Sequence, residues 1–278
     1  MKKFIVATAV ILLIVIDLSS LLYPTVSNYV NSLGQSQVVA WYTDDMAKMK
    51  TEHLQTLWAA AQKYNEALPR KENRYVLTKK ESAEYERLLN TGMGVIGLLV
   101  IDKINVKLPI YHGVEEKTLQ VGLGHLPGSS LPVGGERTHA VITGHRGLPS
   151  AKLLTDLDKI IKGDRFALYV MGETLTYQVV EIKVVEPDAT NILEIIENRD
   201  YCTLVTCTPY GINSHRLLVL GRRVGNTPNS DWEMVRSDAK RLDKLLLILL
   251  FFLSLLPALM IYIILRCRKI HKGGTIRQ

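Results

Sequence analysis

The twenty-one residues from Leu245 to Leu265 carry no charge and end abruptly in Arg266, Cys267, Arg268 and Lys269. At about 1.5 Å per helical residue, such a run crosses a hydrocarbon core of about 30 Å. Pro257 inside it is tolerable in a membrane helix. A second apolar run, Phe4 to Ile16, follows Lys2 and Lys3 and is interrupted by Asp17, as in a signal peptide or short signal anchor. Both basic ends are expected in the cytoplasm, which puts the intervening chain on the outer side.

The charge balance supports this division. The chain carries a formal +7, yet removing the seven basic residues at its two ends leaves 27 basic against 27 acidic. The middle is formally neutral, which withdraws the main support for a nucleic-acid partner. About two hundred residues remain between the apolar ends, enough for one domain with a sizeable core. Only Cys202, Cys207 and Cys267 occur, so a disulfide framework is excluded. Cys202 and Cys207 lie five apart on an expected strand and so face opposite sides.

From Asn28 to about Leu68 the pattern is helical, with Val38, Trp41, Met46, Met49, Leu54, Leu57, Trp58 and Ala61 at three- and four-residue spacing. Pro69 to Arg74 is a charged linker, and Thr78 with Glu81 three residues on has the form of a capping box. From Gly92 the texture changes. The segments 95–101, 105–111, 138–143, 165–170, 174–185, 201–206 and 217–224 are rich in Val, Ile, Leu, Thr and Tyr, with turn residues between them. Many short strands in succession point to a β-barrel or sandwich, with short helices expected at 115–121 and 191–197. The resulting division is 1–22 signal peptide or anchor, 23–91 helical extension, 92–225 β-barrel domain, 226–244 linker, 245–265 transmembrane helix and 266–278 cytoplasmic tail.

Cys207 stands where the strand from Tyr201 meets the turn Thr208, Pro209, Tyr210, Gly211, a rigid support for an exposed reactive group. A thiol with an ordinary pKa of about 8.5 needs a nearby base or cation to act as a nucleophile. His145 lies just past a strand between Gly144 and Gly147, and Arg216 begins the strand after Cys207. Periodicity alone dismisses none of His112, His125 and His215, and a lone Cys beside a strand is more often a small buried hydrophobe.

The run Thr203, Leu204, Val205, Thr206, Cys207 resembles the Thr-Leu-X-Thr-Cys signature of the sortase family, and Pro209, Tyr210, Gly211, Asn213, His215 and Arg216 resemble its class C, pilus-associated form. Lys103 to Gly113, Gly122 to Gly135 and Thr138 to Asp158 are similar to that class as well, so the resemblance covers essentially Gly92 to Val224. It implies a mainly β chain built as a sortase-like closed β-barrel with short helices, a helical N-terminal extension and a C-terminal transmembrane helix. It further implies Cys207 as nucleophile, His145 as general acid and base, Arg216 as the cation near the scissile carbonyl, and substrate contacts from Leu204, Thr206 and Tyr210. The implied reaction splits the Thr-Gly bond of an LPXTG-like sorting signal through a Cys thioester and joins the acyl group to a pilin Lys amine. It needs no metal or cofactor. The implied partners are pilin subunits with such signals and acceptor lysines, and the membrane. Anchoring of surface proteins to the cell wall is the alternative within the family, and a non-catalytic membrane-tethered binding module the alternative outside it.

Class C sortases commonly carry a lid with an Asp-Pro-aromatic motif, and no such tripeptide occurs upstream of Cys207. Pro69 to Lys80 is strongly charged and offers little apolar area, so an uncovered cleft with an accessible Cys207 is expected. A substitute cover from Tyr75, Leu77 or Tyr85 is the alternative.

Overall fold

A computed structural model describes residues 2–226; the expected transmembrane helix 245–265, the tail 266–278 and nearly all of the linker lie outside the described residues. Those described fall into two units, 2–27 and 28–226. The first belongs to helix α1, Lys2–Lys48, which runs on through Asp17 and Pro24. Leu12, Leu13, Ile14, Ile16 and Leu21 of α1 are all exposed. It is the one helix among the described residues long and apolar enough to cross a membrane.

In the second unit the end of α1 is followed by α2 (Thr51–Ala67), α3 (Lys79–Tyr85) and a closed eight-strand barrel. The strands are β1 (Val95–Ile101), β2 (Val106–His112), β3 (Leu123–His125), β4 (Thr138–Thr143), β5 (Arg165–Val170), β6 (Glu173–Val185), β7 (Asp200–Thr208) and β8 (His215–Arg223), in the spatial order β1-β2-β3-β4-β7-β8-β6-β5. A four-residue helix, α4 (Glu116–Leu119), joins β2 to β3. Seven of the strands match the sequence reading to within two residues. The unforeseen one, β3, is three residues long, too short for alternation to show, yet it pairs parallel with β2 and antiparallel with β4. The helix expected at 191–197 shrinks to a 3₁₀ turn, Thr190–Leu193, with Glu194 already extended. The carbonyls of Leu193 and Glu194 are taken by side chains from elsewhere, as described below.

All seven residues of β1 are buried, because helices cover the outer face of this strand while the barrel core covers the inner one. Val39, Tyr42 and Met46 of α1 supply part of that cover. Polar anchors fix the helices in place. The Tyr42 hydroxyl donates to the Ile96 carbonyl (3.3 Å) and accepts from the Met171 N–H (3.0 Å). The buried Asn65 amide donates to the Leu131 carbonyl (2.9 Å) and accepts from the Leu131 N–H (2.7 Å), closing both polar groups of one loop residue. Tyr85 donates to the His125 carbonyl (3.1 Å), contacts His125 Nδ1 at 2.9 Å and accepts from the Gly113 N–H (3.2 Å). The Thr78/Glu81 capping box forms and starts α3, which carries Tyr85.

Candidate active site

Along β7 the side chains alternate. Cys202, Leu204 and Thr206 are buried on the inner side, while Thr203, Val205 and Cys207 lie on the outer face. Cys202 is wholly enclosed and burial pushes its thiol well up, so it is held as a neutral thiol. Cys207 is half-buried. Leu204 and Thr206, expected to touch substrate, instead face inward: Leu204 sits in the core, and the Thr206 hydroxyl is spent on the Gly144 carbonyl at 2.8 Å. They support the floor from beneath. Tyr210 is exposed in the β7–β8 loop, where a Cβ on Gly147 would lie 3.3 Å from its ring.

The barrel strands position the three residues expected to carry the chemistry. In the antiparallel β7–β8 pair Cys207 stands directly opposite Arg216, so their Cα atoms are about 5 Å apart. The parallel β4–β7 ladder runs to Thr143 opposite Val205 and is prolonged by the Gly144 N–H donating to the Val205 carbonyl (3.1 Å). One residue further comes His145, two residues past the end of β4. Its carbonyl accepts from the Leu154 N–H (3.2 Å), and the nearly buried Arg146 bridges Asp158 and the Thr208 hydroxyl. The Arg216 guanidinium donates from Nη1 to the carbonyls of Asn213 (3.3 Å) and His215 (3.2 Å).

The other histidines separate by environment. His125 is completely buried between Tyr85, Ser129 and the Ser130 carbonyl, and burial pushes its pKa down to about 4. His112 contacts the Leu88 carbonyl (2.7 Å), and burial lowers it too. His215 is exposed beside Ser214. His139, not singled out by sequence, lies on the outer side of β4 with Nδ1 donating to the Glu194 carbonyl (2.8 Å) and Nε2 beside the Thr203 hydroxyl (2.7 Å). A carbonyl only accepts, so the neutral ring carries its proton on Nδ1. The two-residue spacing of His139, Val141 and Thr143 within β4 was the available sign that these three share one face.

Beside Cys207 the outer faces of β4, β7 and β8 form an apolar groove with Val141, Val205 and Leu218 in its floor and Leu126 and Leu193 against it. The groove is covered. Tyr75 packs into this cluster, its hydroxyl donates to the Leu193 carbonyl (3.2 Å), and Arg74 donates to the same oxygen (2.7 Å) while stacking on the Tyr75 ring. Gly128 permits the close approach, since a Cβ there would fall 2.1 Å from the Arg74 carbonyl oxygen. The expectation that this charged segment finds little hold on the barrel is therefore corrected. One aromatic ring and one arginine nitrogen supply the hold that the segment's charged composition concealed.

Comparison with known proteins now bears on this geometry. Residues 99–224 match the sortase domain family. The crystal structure of sortase C1 from Streptococcus agalactiae is 44% identical, with a TM-score of 0.67 over 69% of this chain and 100% of that one. The chain belongs to the sortase family. The Streptococcus pneumoniae sortase C structure is likewise similar to this sortase, at 43% identity and a TM-score of 0.63, covering 69% of this chain and 98% of that one. Among curated proteins, sortase D of Bacillus subtilis (strain 168) is 32% identical over 131 residues, 46% of this chain. Sortase A of Bacillus anthracis is 30% identical over 131 residues, 47% of this chain. The matches span 63% and 60% of those two relatives, just under two thirds of their length.

Proposed function

We propose that this sortase is a cysteine transpeptidase that polymerises pilin subunits at the outer surface of a membrane. The observation that carries the reading is the direct pairing of Cys207 with Arg216 across β7 and β8, with His145 two residues past the end of the β4–β7 ladder. In the acylation half, His145 takes the Cys207 proton and the thiolate sulfur bonds to the Thr carbonyl carbon of an LPXTG-like signal. The C–N bond to Gly then breaks and the imidazolium protonates the departing amine. In the second half a Lys amine of another subunit attacks the thioester carbon, His145 takes its proton, and the sulfur leaves as an isopeptide bond forms. Arg216 serves the oxyanion or the substrate backbone with a planar fork of donors. The thioester conserves the free energy of the cleaved amide, so no nucleotide is required. The S. pneumoniae sortase C structure bears on pilin substrate specificity, which favours a pilin Lys over a cell-wall amine as acceptor here.

The test is mass spectrometry of products formed by the full chain in detergent with an LPXTG-type peptide and a lysine-bearing pilin subunit. The expected product is the joined pair with loss of the fragment beginning at Gly. Cys207→Ala abolishes both cleavage and joining, while Cys202→Ala retains them at a packing cost of about 1–2 kcal/mol. Release of that fragment by Cys207→Ala at near wild-type rate overturns the proposal. Joining only to wall-type amines transfers it to surface anchoring.

A further inference from the structure

We propose that Glu116 is the positioning residue for His145, completing a Cys207–His145–Glu116 relay; the assignment rests on the transpeptidase reading above. His145 Nε2 is buried and has no hydrogen-bond partner among the described residues, and Glu116 Oε1 lies 3.4 Å away, an ion-pair contact without hydrogen-bond geometry. A buried ring nitrogen left unpaired is costly, and a carboxylate at this distance needs only a small adjustment to relieve it. Such catalytic contacts tighten when substrate closes the site.

The placement of Glu116 follows from the backbone. It is the first residue of α4, which begins three residues after Gly113, the residue that follows β2. A Cβ on Gly124 would lie 2.3 Å from the Gly113 carbonyl oxygen and 3.0 Å from Leu119 Cδ2, so only glycine lets β3 pack this tightly under α4. Gly124 in turn pairs with Thr143, two residues before His145. The far end of this connection is held by Gln35, which donates to the Val121 carbonyl (3.1 Å). The local charges are also apportioned. Glu115 is paired with Lys117 at 2.7 Å, while Gln120 donates to Glu116 Oε1 at 3.2 Å and steadies it toward the imidazole.

A carboxylate facing Nε2 favours the tautomer with its proton on that nitrogen, leaving Nδ1 free to take the thiol proton. It then stabilises the imidazolium that exists between deprotonation of Cys207 and protonation of the leaving amine. Glu116 itself neither gains nor loses a proton. Its side chain is 66% exposed, so water and salt screen the interaction and the effect is modest.

The experiment compares wild type with Glu116→Gln, Glu116→Ala and Glu116→Asp, as full chains in detergent, by steady-state cleavage of an LPXTG-type peptide at low and high salt. At low salt Glu116→Gln and Glu116→Ala are expected to lower kcat about three- to tenfold with KM unchanged, and Glu116→Asp to recover part of the loss. The gap narrows at about 1 M salt, which the loss of a packing contact would not reproduce. Equal kcat for Glu116→Gln and wild type at low salt, with Cys207→Ala inactive, sinks the proposal and leaves the transpeptidase reading standing. A raised KM with kcat unchanged, or a deficit insensitive to salt, assigns Glu116 a structural role and overturns it as well. Absence of turnover by wild type overturns the underlying reading instead.

Discussion

Replacing Arg216 by Lys keeps the charge opposite Cys207 and removes the planar fork. Activity is expected to fall at least tenfold in a peptide-cleavage assay; retention of more than about half the wild-type rate would make Arg216 a distant charge only. At this scale the sequence was most informative where chemistry and strand punctuation coincide. The places of Cys207 near a strand end, Arg216 near the next strand start and His145 just past a strand were all visible, because each sits at a boundary that turn residues mark. Leu204 and Thr206 were misassigned although the same strand pattern places them with inward-facing Cys202, two and four residues on. Glu116 was invisible for a different reason. Its position depends on how closely α4 approaches β3, a packing distance set by Gly124 that no local pattern encodes.

Between α2 and α3, the segment carrying Arg74 and Tyr75 behaves as an element without regular structure of its own, held by two side chains on one carbonyl oxygen. Tyr75→Ala removes the ring from the groove and one of those hydrogen bonds. The labelling rate of Cys207 by a bulky thiol reagent is then expected to rise severalfold with the melting temperature lowered only slightly. An unchanged rate would show that Tyr75 does not restrict access. Strands of six or more residues were legible from composition, whereas β3 and the truncated helix after β6 were not. The latter lost its helix because Tyr75, Arg74 and His139 draw the Leu193 and Glu194 carbonyls outward, a tertiary demand that overrides local propensity.

For the molecule as a whole, buried neutral histidines couple folding to acidity. His125 is held at about 4 in the folded chain against about 6.5 when exposed, so the unfolded chain binds the extra proton first. Its contribution is fully present above about pH 6.5 and is lost as pH falls toward 4, amounting to roughly 3 kcal/mol across that window. His112 and His139 are lowered in the same sense. The urea midpoint of the full chain in detergent, followed by near-UV circular dichroism, is expected to drop steadily between pH 7 and 4.5, with a shallower slope in His125→Asn. A pH-independent midpoint would contradict this. The pairing of Cys207 with Arg216 has a consequence of another kind. Because a single rung of the β7–β8 ladder fixes their separation, the loop from Pro209 to Ser214 is relieved of holding them together. Mutation can lengthen, shorten or recolour that loop generation after generation, exploring new partners while the reacting atoms stay in register.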